Sequence, residues 1–396
     1  MIKILVKYPA FFRFWIATIV SQLASRMHSL ILIWLVYKWS NSAMMVGITM
    51  ISASLPSVLI SPFAGSLIDR KNKISLMYIA DFVRTGIMLI FAYLFFKDIL
   101  NTPLLIAGTV VISVSSAFFN PASMSILPQL VEKDDITKAN AIGQISSSAS
   151  SIIGPLFGST LIATLGGVEA FIGGGILFFI SVLFLSGIKD VSVQREVLKN
   201  SLWEDIKSSF SLIKKYDIVY EMISKMAIVN FFFTSLVIIA PVIVGGDAKN
   251  IAYLMSSIGA GMLFSSLLFS SKQLTIRANV FLALCLVVMG VSFILLALTH
   301  FLYLQNLYIF IIGAALSAFN IILVSIYQTR LPGENLGKIM AFIVAISLSL
   351  QPISYGVMGV VIEWIGIVAV LVTSGVVIVA SSYGVYRLNE LSEDQS

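Results

Sequence analysis

The chain has 396 residues, of which 58% are hydrophobic and only 11% charged, against roughly 25% charged in a soluble domain. Its formal net charge of +6 sits on Lys and Arg residues in short stretches between apolar runs, a distribution that argues against a nucleic-acid partner. The single cysteine, Cys285, lies inside an apolar run, so a disulfide framework and a Cys-based metal site are excluded and a core role is expected. Apolar runs of about 18 residues or more recur from Phe11 to Val385, the pattern of an all-α integral membrane protein. The alternating ten-residue segments of an outer-membrane barrel are absent.

In chain order, residues 1–9 carry no small-residue cleavage site, so the first span reads as retained and not as a signal peptide. Twelve spans are expected: 11–37, 43–67, 74–96, 104–126, 136–165, 170–188, 222–244, 251–269, 279–298, 307–327, 338–362 and 365–386. With a cytoplasmic N-terminus, Lys3, Lys7, Arg13, Arg70, Lys71, Lys73, Lys133, Lys272, Arg277, Arg330 and Arg387 all fall inside, and only Lys38, Lys97 and Lys249 outside. That asymmetry places both termini in the cytoplasm.

Span one holds an arginine in its middle. At about 100° per residue, Trp15, Thr18, Gln22, Arg26 and Ser29 share one narrow stripe, and His28 points away from it. A guanidinium at mid-bilayer costs at least about 2.5 kcal/mol, so Arg26 should face a water-filled cavity or a carboxylate on a neighbouring helix. The cavity is the reading preferred here. Span three carries Asp81 and Arg84 at a spacing that lets them pair on one helix face. They suit a structural ion pair, the reading favoured for Arg84, or a gate, and Asp81 is also the leading titratable candidate for proton coupling, ahead of His28. In span five, Gly154 and Gly158 flank Pro155 and Phe157, a small-xxx-small face that permits close helix approach, while Pro155 removes a helical hydrogen bond.

Residues 189–216 hold much of the soluble charge and divide the chain into an N-terminal six-helix bundle, 1–188, and a C-terminal one, 217–396. Within the divide, Ser201 and Glu204 have capping-box spacing, and Leu202, Ile206, Phe210 and Ile213 share a face, as in a short interfacial helix or a solvated linker. Glu221 and Lys225 have i,i+4 spacing and are expected to pair. An internal repeat links the halves at a shift of 200 residues: Ala117-Phe-Phe119-Asn120 matches Ser317-Ala-Phe319-Asn320, Lys138 matches Lys338, and Leu165-Gly166 matches Ile365-Gly366. Two pseudo-symmetric bundles enclosing a site between them follow from such a repeat.

Several motifs resemble those of the major facilitator superfamily. The loop after span two, Gly65-Ser-Leu67-Ile-Asp69-Arg70-Lys71-Asn72-Lys73, resembles its loop signature, with Asn72 where glycine is usual. Asparagine tolerates a left-handed turn better than most residues, so the loop is expected to keep its shape. Together with Asp81-Phe-Val-Arg84, Phe119-Asn120-Pro121-Ala122, Leu127-Pro128 and Ala139-Asn140-Ala141, this is similar to the branch containing macrolide exporters and the enterobactin exporter. Gly154-Pro155-Leu-Phe-Gly158 resembles the glycine-proline motif of the superfamily's proton antiporters, and a packing motif is the alternative.

The resemblance implies the major facilitator fold and a cavity lined by spans one, four, seven and ten. It implies gating at Asp69, beside the basic Arg70 and Lys73, with Asp69 meeting the start of span eleven near Gly337 and Lys338, and Arg84 is the further gating candidate beside its reading as a structural partner of Asp81. On those helices and their neighbours the candidate substrate contacts are Arg26, Gln22, Ser29, Trp15, Ser116, Asn120, Asn230, Thr234, Asn320, Gln351 and Tyr355, with Gln144 on span five. These polar side chains are equally able to tie helices together, at roughly 0.6 kcal/mol each.

The expected activity is proton-coupled export by alternating access of a small amphipathic metabolite, anionic or zwitterionic and of metallophore or siderophore type. Arg26 would recognise its anionic group, since guanidinium pairs carboxylate bidentately. A broad drug or macrolide pump is the alternative, and an importer of a small anion the second. A membrane enzyme is not expected, because the only histidines, His28 and His300, are far apart in sequence. No cofactor and no metal are expected beyond the proton gradient as energy source. The partners implied are the small-molecule substrate and the lipid bilayer, with the chain a monomer in a bacterial cytoplasmic membrane.

Overall fold

The computed structural model describes residues 2–70, 72–132, 135–188, 217–269, 277–330 and 333–387. Every regular element among them is a helix. A short α1 (Ile2–Lys7) leads into α2 (Pro9–Ser40), α3 (Ala43–Arg70), α4 (Lys73–Phe96), α5 (Thr102–Leu130), α6 (Ile136–Thr164) and α7 (Gly167–Ser186). The second series is α8 (Asp217–Ile243), α9 (Ala248–Phe269), α10 (Ala278–Leu298), α11 (Leu302–Arg330), α12 (Gly333–Ile365) and α13 (Ile367–Tyr386). Among the described residues, eleven of these helices are long and apolar enough to cross a membrane. The linker 189–216, expected to hold a short interfacial helix or to be solvated, lies outside the described residues, as do the loop 270–276 and Lys71.

The shift of 200 residues reappears in the helix bounds themselves. Helices α5 and α11 both have 29 residues and begin at Thr102 and Leu302; α7 and α13 both have 20 and begin at Gly167 and Ile367. Gly166 and Gly366 precede the last pair with φ of 120° and 82°, a backbone region that L side chains avoid. The last span therefore starts at Ile367 and not at 365, because Gly366 reverses the chain after α12 has run to Ile365.

The chain forms two compact units. Unit 1 holds the described residues to Ile188 except Ser42–Gly47, together with Gly246–Tyr253; unit 2 holds Ser42–Gly47 and the remainder. This departs from a clean division at the linker. In unit 2 the Glu363 carboxylate accepts hydrogen bonds from the Ser42 hydroxyl and, at 3.2 Å, from the Met44 N–H. The Gly47 Cα faces the Tyr355 carbonyl and Gly359. In unit 1, Gly246 lies against the Tyr37 ring.

The two units are built alike. In unit 1, α2 packs on α6 and α7, and α4 on α5 and α7; in unit 2, α8 packs on α12 and α13, and α10 on α11 and α13. Unit 1 has an apolar core at its α1 end, where Ile4, Phe11, Phe14, Phe119 and Ile126 are buried together. A polar cluster fastens α1 over it. Lys7 Nζ lies 2.8 Å from Glu132 Oε2 and 3.1 Å from Asp135 Oδ2, the Tyr8 hydroxyl donates to Asp135, and Lys138 Nζ lies 2.9 Å from Asp135 Oδ1.

Two local expectations are corrected. Asn72 is not left-handed: at φ −62° and ψ 118° it caps α4, its side chain accepting from the Ser75 N–H. Capping satisfies an orphan helix donor, which a left-handed turn there would not. Lys225 does not pair with Glu221; its ammonium donates to the Ser224 hydroxyl, and both side chains sit near a helix end where an exposed i,i+4 pair is worth only about 0.3–0.5 kcal/mol.

Candidate functional site

Three helices of unit 1 bound a cavity of about 410 Å³. Helix α2 contributes Trp15, Thr18 and Gln22, α5 contributes Asn120 and Ser123, and α6 contributes Asn140, Gln144 and Ser147, with Phe11, Phe14 and Leu127 completing the apolar wall. No Asp, Glu, Lys or Arg lines it among the described residues. The period of α2 explains its share, since residues three and four apart stack on one helix face. The Trp15 indole N–H donates to the buried Ser146 hydroxyl at 2.7 Å, which fixes the ring against the wall.

Arg26 stands one turn beyond Gln22 on the same stripe and is exposed. Its backbone is held by α6: a Cβ added to Gly154 would lie 2.6 Å from Arg26 Cβ and 3.2 Å from the Leu23 carbonyl oxygen. Gly158 lies against Met27 and Leu30 in the same way. Glycine at both positions lets two helices approach this closely, and α6 continues through the buried Pro155 to Thr164. The motif therefore packs α6 on α2 at the level of Arg26.

Asp81 and Arg84 occupy a separate interior place in unit 1, 0% and 2% exposed. Arg84 Nη1 lies 2.7 Å from Asp81 Oδ1, Ser21 donates to the same oxygen at 3.1 Å, and Arg84 Nη2 donates to Ser116 Oγ at 2.8 Å. The guanidinium sits 4.9 Å from the Phe119 ring centre and 5.5 Å from that of Phe178. Among the described residues, Asp81 Oδ2 and Arg84 Nε are buried without a hydrogen bond of normal geometry, and the buried Ser181 hydroxyl lies beside the Asp81 carboxyl. Ser116, expected to face substrate, is instead occupied by Arg84.

His28 is buried and stacked on Phe91 at 6.1 Å, with neither ring nitrogen hydrogen-bonded among the described residues. Ser29 donates to the Ser25 carbonyl of its own helix. Lys73 Nζ reaches the Ser125 carbonyl at 3.5 Å. The side chains of Asp69 and Arg70, and that of Lys338 near the start of α12, lie outside the described residues, and with them the expected latch.

In unit 2, the Asn230 amide donates to the Met226 carbonyl and the Thr234 hydroxyl to the Asn230 carbonyl, so both serve their own helix. Asn320 and Gln351 are partly exposed, and Tyr355 is buried. Asn140 and Ser147 are cavity residues that span-by-span reading passed over. Their signal is the i,i+4 recurrence of Asn140, Gln144 and, one step short, Ser147 on α6.

Residues 6–395 match the profile of the transmembrane secretion effector family of major facilitator proteins. The chain belongs to that family. It is 23% identical to the uncharacterized MFS-type transporter YvqJ of Bacillus subtilis strain 168 over 89% of this chain and 85% of that one. It is 20% identical to macrolide efflux protein A of Streptococcus pyogenes over 96% of each. Among solved structures, the crystal structure of the nucleoside transporter NupG superposes with a TM-score of 0.77 at 12% identity, covering 96% of this chain and all of that one. That likeness bears on the fold alone. This secretion effector is thus a multi-pass membrane transporter of the efflux type and not an enzyme, and its helices form the major facilitator fold.

Proposed function

We propose that this transporter exports a small amphipathic metabolite carrying an anionic or zwitterionic group, with Arg26 as the residue that recognises the anion. One observation carries this reading. Arg26 is presented on the same stripe as the cavity residues Trp15, Thr18 and Gln22, with its backbone locked by Gly154. A guanidinium held in that way offers a planar fork to a carboxylate, in surroundings less polar than water, where the attraction is stronger.

Export is driven by exchange with protons, and Asp81 is the coupling carboxylate. Support comes from its complete burial beside Arg84. Protonation would remove the charge that holds Arg84 and release the guanidinium bridging Asp81 to Ser116. The protein works in a bacterial cytoplasmic membrane as a monomer, both termini inside, in keeping with the Lys and Arg asymmetry of its loops.

The decisive experiment is a binding and transport series at Arg26. Arg26→Ala should weaken an anionic substrate about ten- to a hundredfold, the loss of one charge-assisted contact. Arg26→Lys should recover part of that, and Arg26→Glu should be worse than alanine. Equal binding by all four proteins defeats the anion reading.

A second reading, broad drug or macrolide efflux, is favoured by the uncharged, aromatic wall of the cavity. It predicts that Arg26→Ala is nearly neutral and that replacing Phe231 or Phe233 costs more.

A further inference from the structure

The cavity in unit 1 contains four carboxamides from three helices, Gln22 from α2, Asn120 from α5, and Asn140 and Gln144 from α6. Each primary amide offers two N–H donors and one carbonyl acceptor. The Asn120, Asn140 and Gln144 side chains are exposed to the cavity and are engaged by no hydrogen bond with the described chain. Gln22 differs from them, because its Oε1 is buried away from the cavity, with no donor among the described residues. The three exposed carboxamides therefore present both donors and acceptors to whatever enters the cavity.

The absence of charged groups from the wall among the described residues narrows the ligand. A net charge placed among neutral amides would lose its hydration without gaining an ion pair. A flat neutral group carrying both a donor and an acceptor matches a wall of carboxamides on both counts. The peptide bond is such a group, and the indole of Trp15, pinned by Ser146, offers a flat face for it to lie against.

We infer that this cavity is a neutral subsite for the amide-bearing body of the substrate, so that the exported compound is peptide-like, with Asn140 and Gln144 as specificity-determining residues whose carbonyl oxygens accept a substrate N–H. The inference rests on the reading that Arg26 and its stripe meet substrate, and it divides the work: Arg26 takes the charged end and the amide wall takes the body.

The test uses purified full-length protein and three fluorescent probes: dansyl-alanyl-alanine, its isosteric ester in which oxygen replaces the peptide N–H, and its C-terminal carboxamide. The amide probe should bind about two- to tenfold tighter than the ester, the net effect of one hydrogen bond. Asn140→Ala combined with Gln144→Ala should weaken the amide probe and shrink that ratio. If the double variant fails to fold, Gln144→Met, close to glutamine in volume, carries the same expectation. Equal affinity of amide and ester for the wild-type protein overturns the inference, as does undetectable binding of the amide probe, or an amide-to-ester ratio that the variants leave unchanged. Failure of the anion reading shows elsewhere: the free acid and the C-terminal carboxamide would then bind alike, and Arg26→Ala would not distinguish them.

Discussion

Gly154 on α6 lies so close to Arg26 on α2 that a Cβ at position 154 would stand 2.6 Å from Arg26 Cβ. The glycine of the glycine-proline motif and the arginine of the first span are therefore one packing unit. The glycine sets how near α6 comes, and α6 in turn limits how α2 can rotate and present Arg26.

Gly154→Ala should therefore disturb the protein more than Gly158→Ala. At Gly154 the added methyl meets Arg26 Cβ and the Leu23 carbonyl, whereas at Gly158 it meets the Met27 and Leu30 side chains, which can turn aside. Overpacking of a tight contact costs about 1–3 kcal/mol. Thermal unfolding in lipid nanodiscs should show a lower Tm for Gly154→Ala, accompanied by weaker binding of an anionic substrate. Equal Tm values for the two variants would show that the contact at Arg26 is not tight.

The buried pair Asp81–Arg84 should behave as a unit. Arg84→Leu leaves the Asp81 charge buried without its counter-ion, a loss of about 3–5 kcal/mol. Combining it with Asp81→Asn should recover most of that stability. A double-mutant cycle by denaturant titration reads the coupling directly; additive losses would mean that the pair contributes little.

Proton coupling at Asp81 has its own readout. Asp81→Asn should abolish uptake into inverted vesicles driven by a proton gradient while leaving substrate exchange intact. Retained gradient-driven transport in a folded Asp81→Asn protein would remove this residue from the coupling step.

The fastening of α1 should respond to acid. Hydrogen bonds from Lys138, then Lys7 and Tyr8, hold the Asp135 carboxyl down at about 2, and Lys7 and Tyr8 hold Glu132 below the usual carboxylate range. A carboxyl whose folded pKa is depressed stabilises the folded form above its unfolded pKa of about 3.9. That contribution is lost as the pH falls from about 4 through 2. Lys7 is raised, first of all by Glu132, so its share is present below its unfolded value of about 10.4 and is lost only as the pH rises above it. A spin label on Val6→Cys, with Cys285 replaced, should stay immobile near neutrality and loosen in acid. Asp135→Asn should remove much of that acid response; an unchanged profile would place the response elsewhere.

Much of this molecule is legible along the chain. Apolar run lengths mark the helices, because each must satisfy its backbone internally while its side chains meet lipid. The shift of 200 residues identifies the twin units, down to the reversing glycines Gly166 and Gly366. Helical periodicity also places Arg26 with Gln22 and Trp15, and Asp81 with Arg84, because those relations lie within one helix.

What each face meets was decided by tertiary packing. Ser116 shares a side of α5 with Asn120, yet Arg84 arrives from α4 and takes its hydroxyl. Asn140 and Gln144 become cavity residues only because α6 turns that side toward α2 and α5, an orientation fixed by the close approach of Gly154 to Arg26. Asn72 caps a helix because the Ser75 N–H is within reach, not because of the loop motif it belongs to. Periodicity reports which residues stand together. The neighbour opposite them depends on the volumes and hydrogen bonds of residues far away in the chain, and those are resolved only when the helices pack.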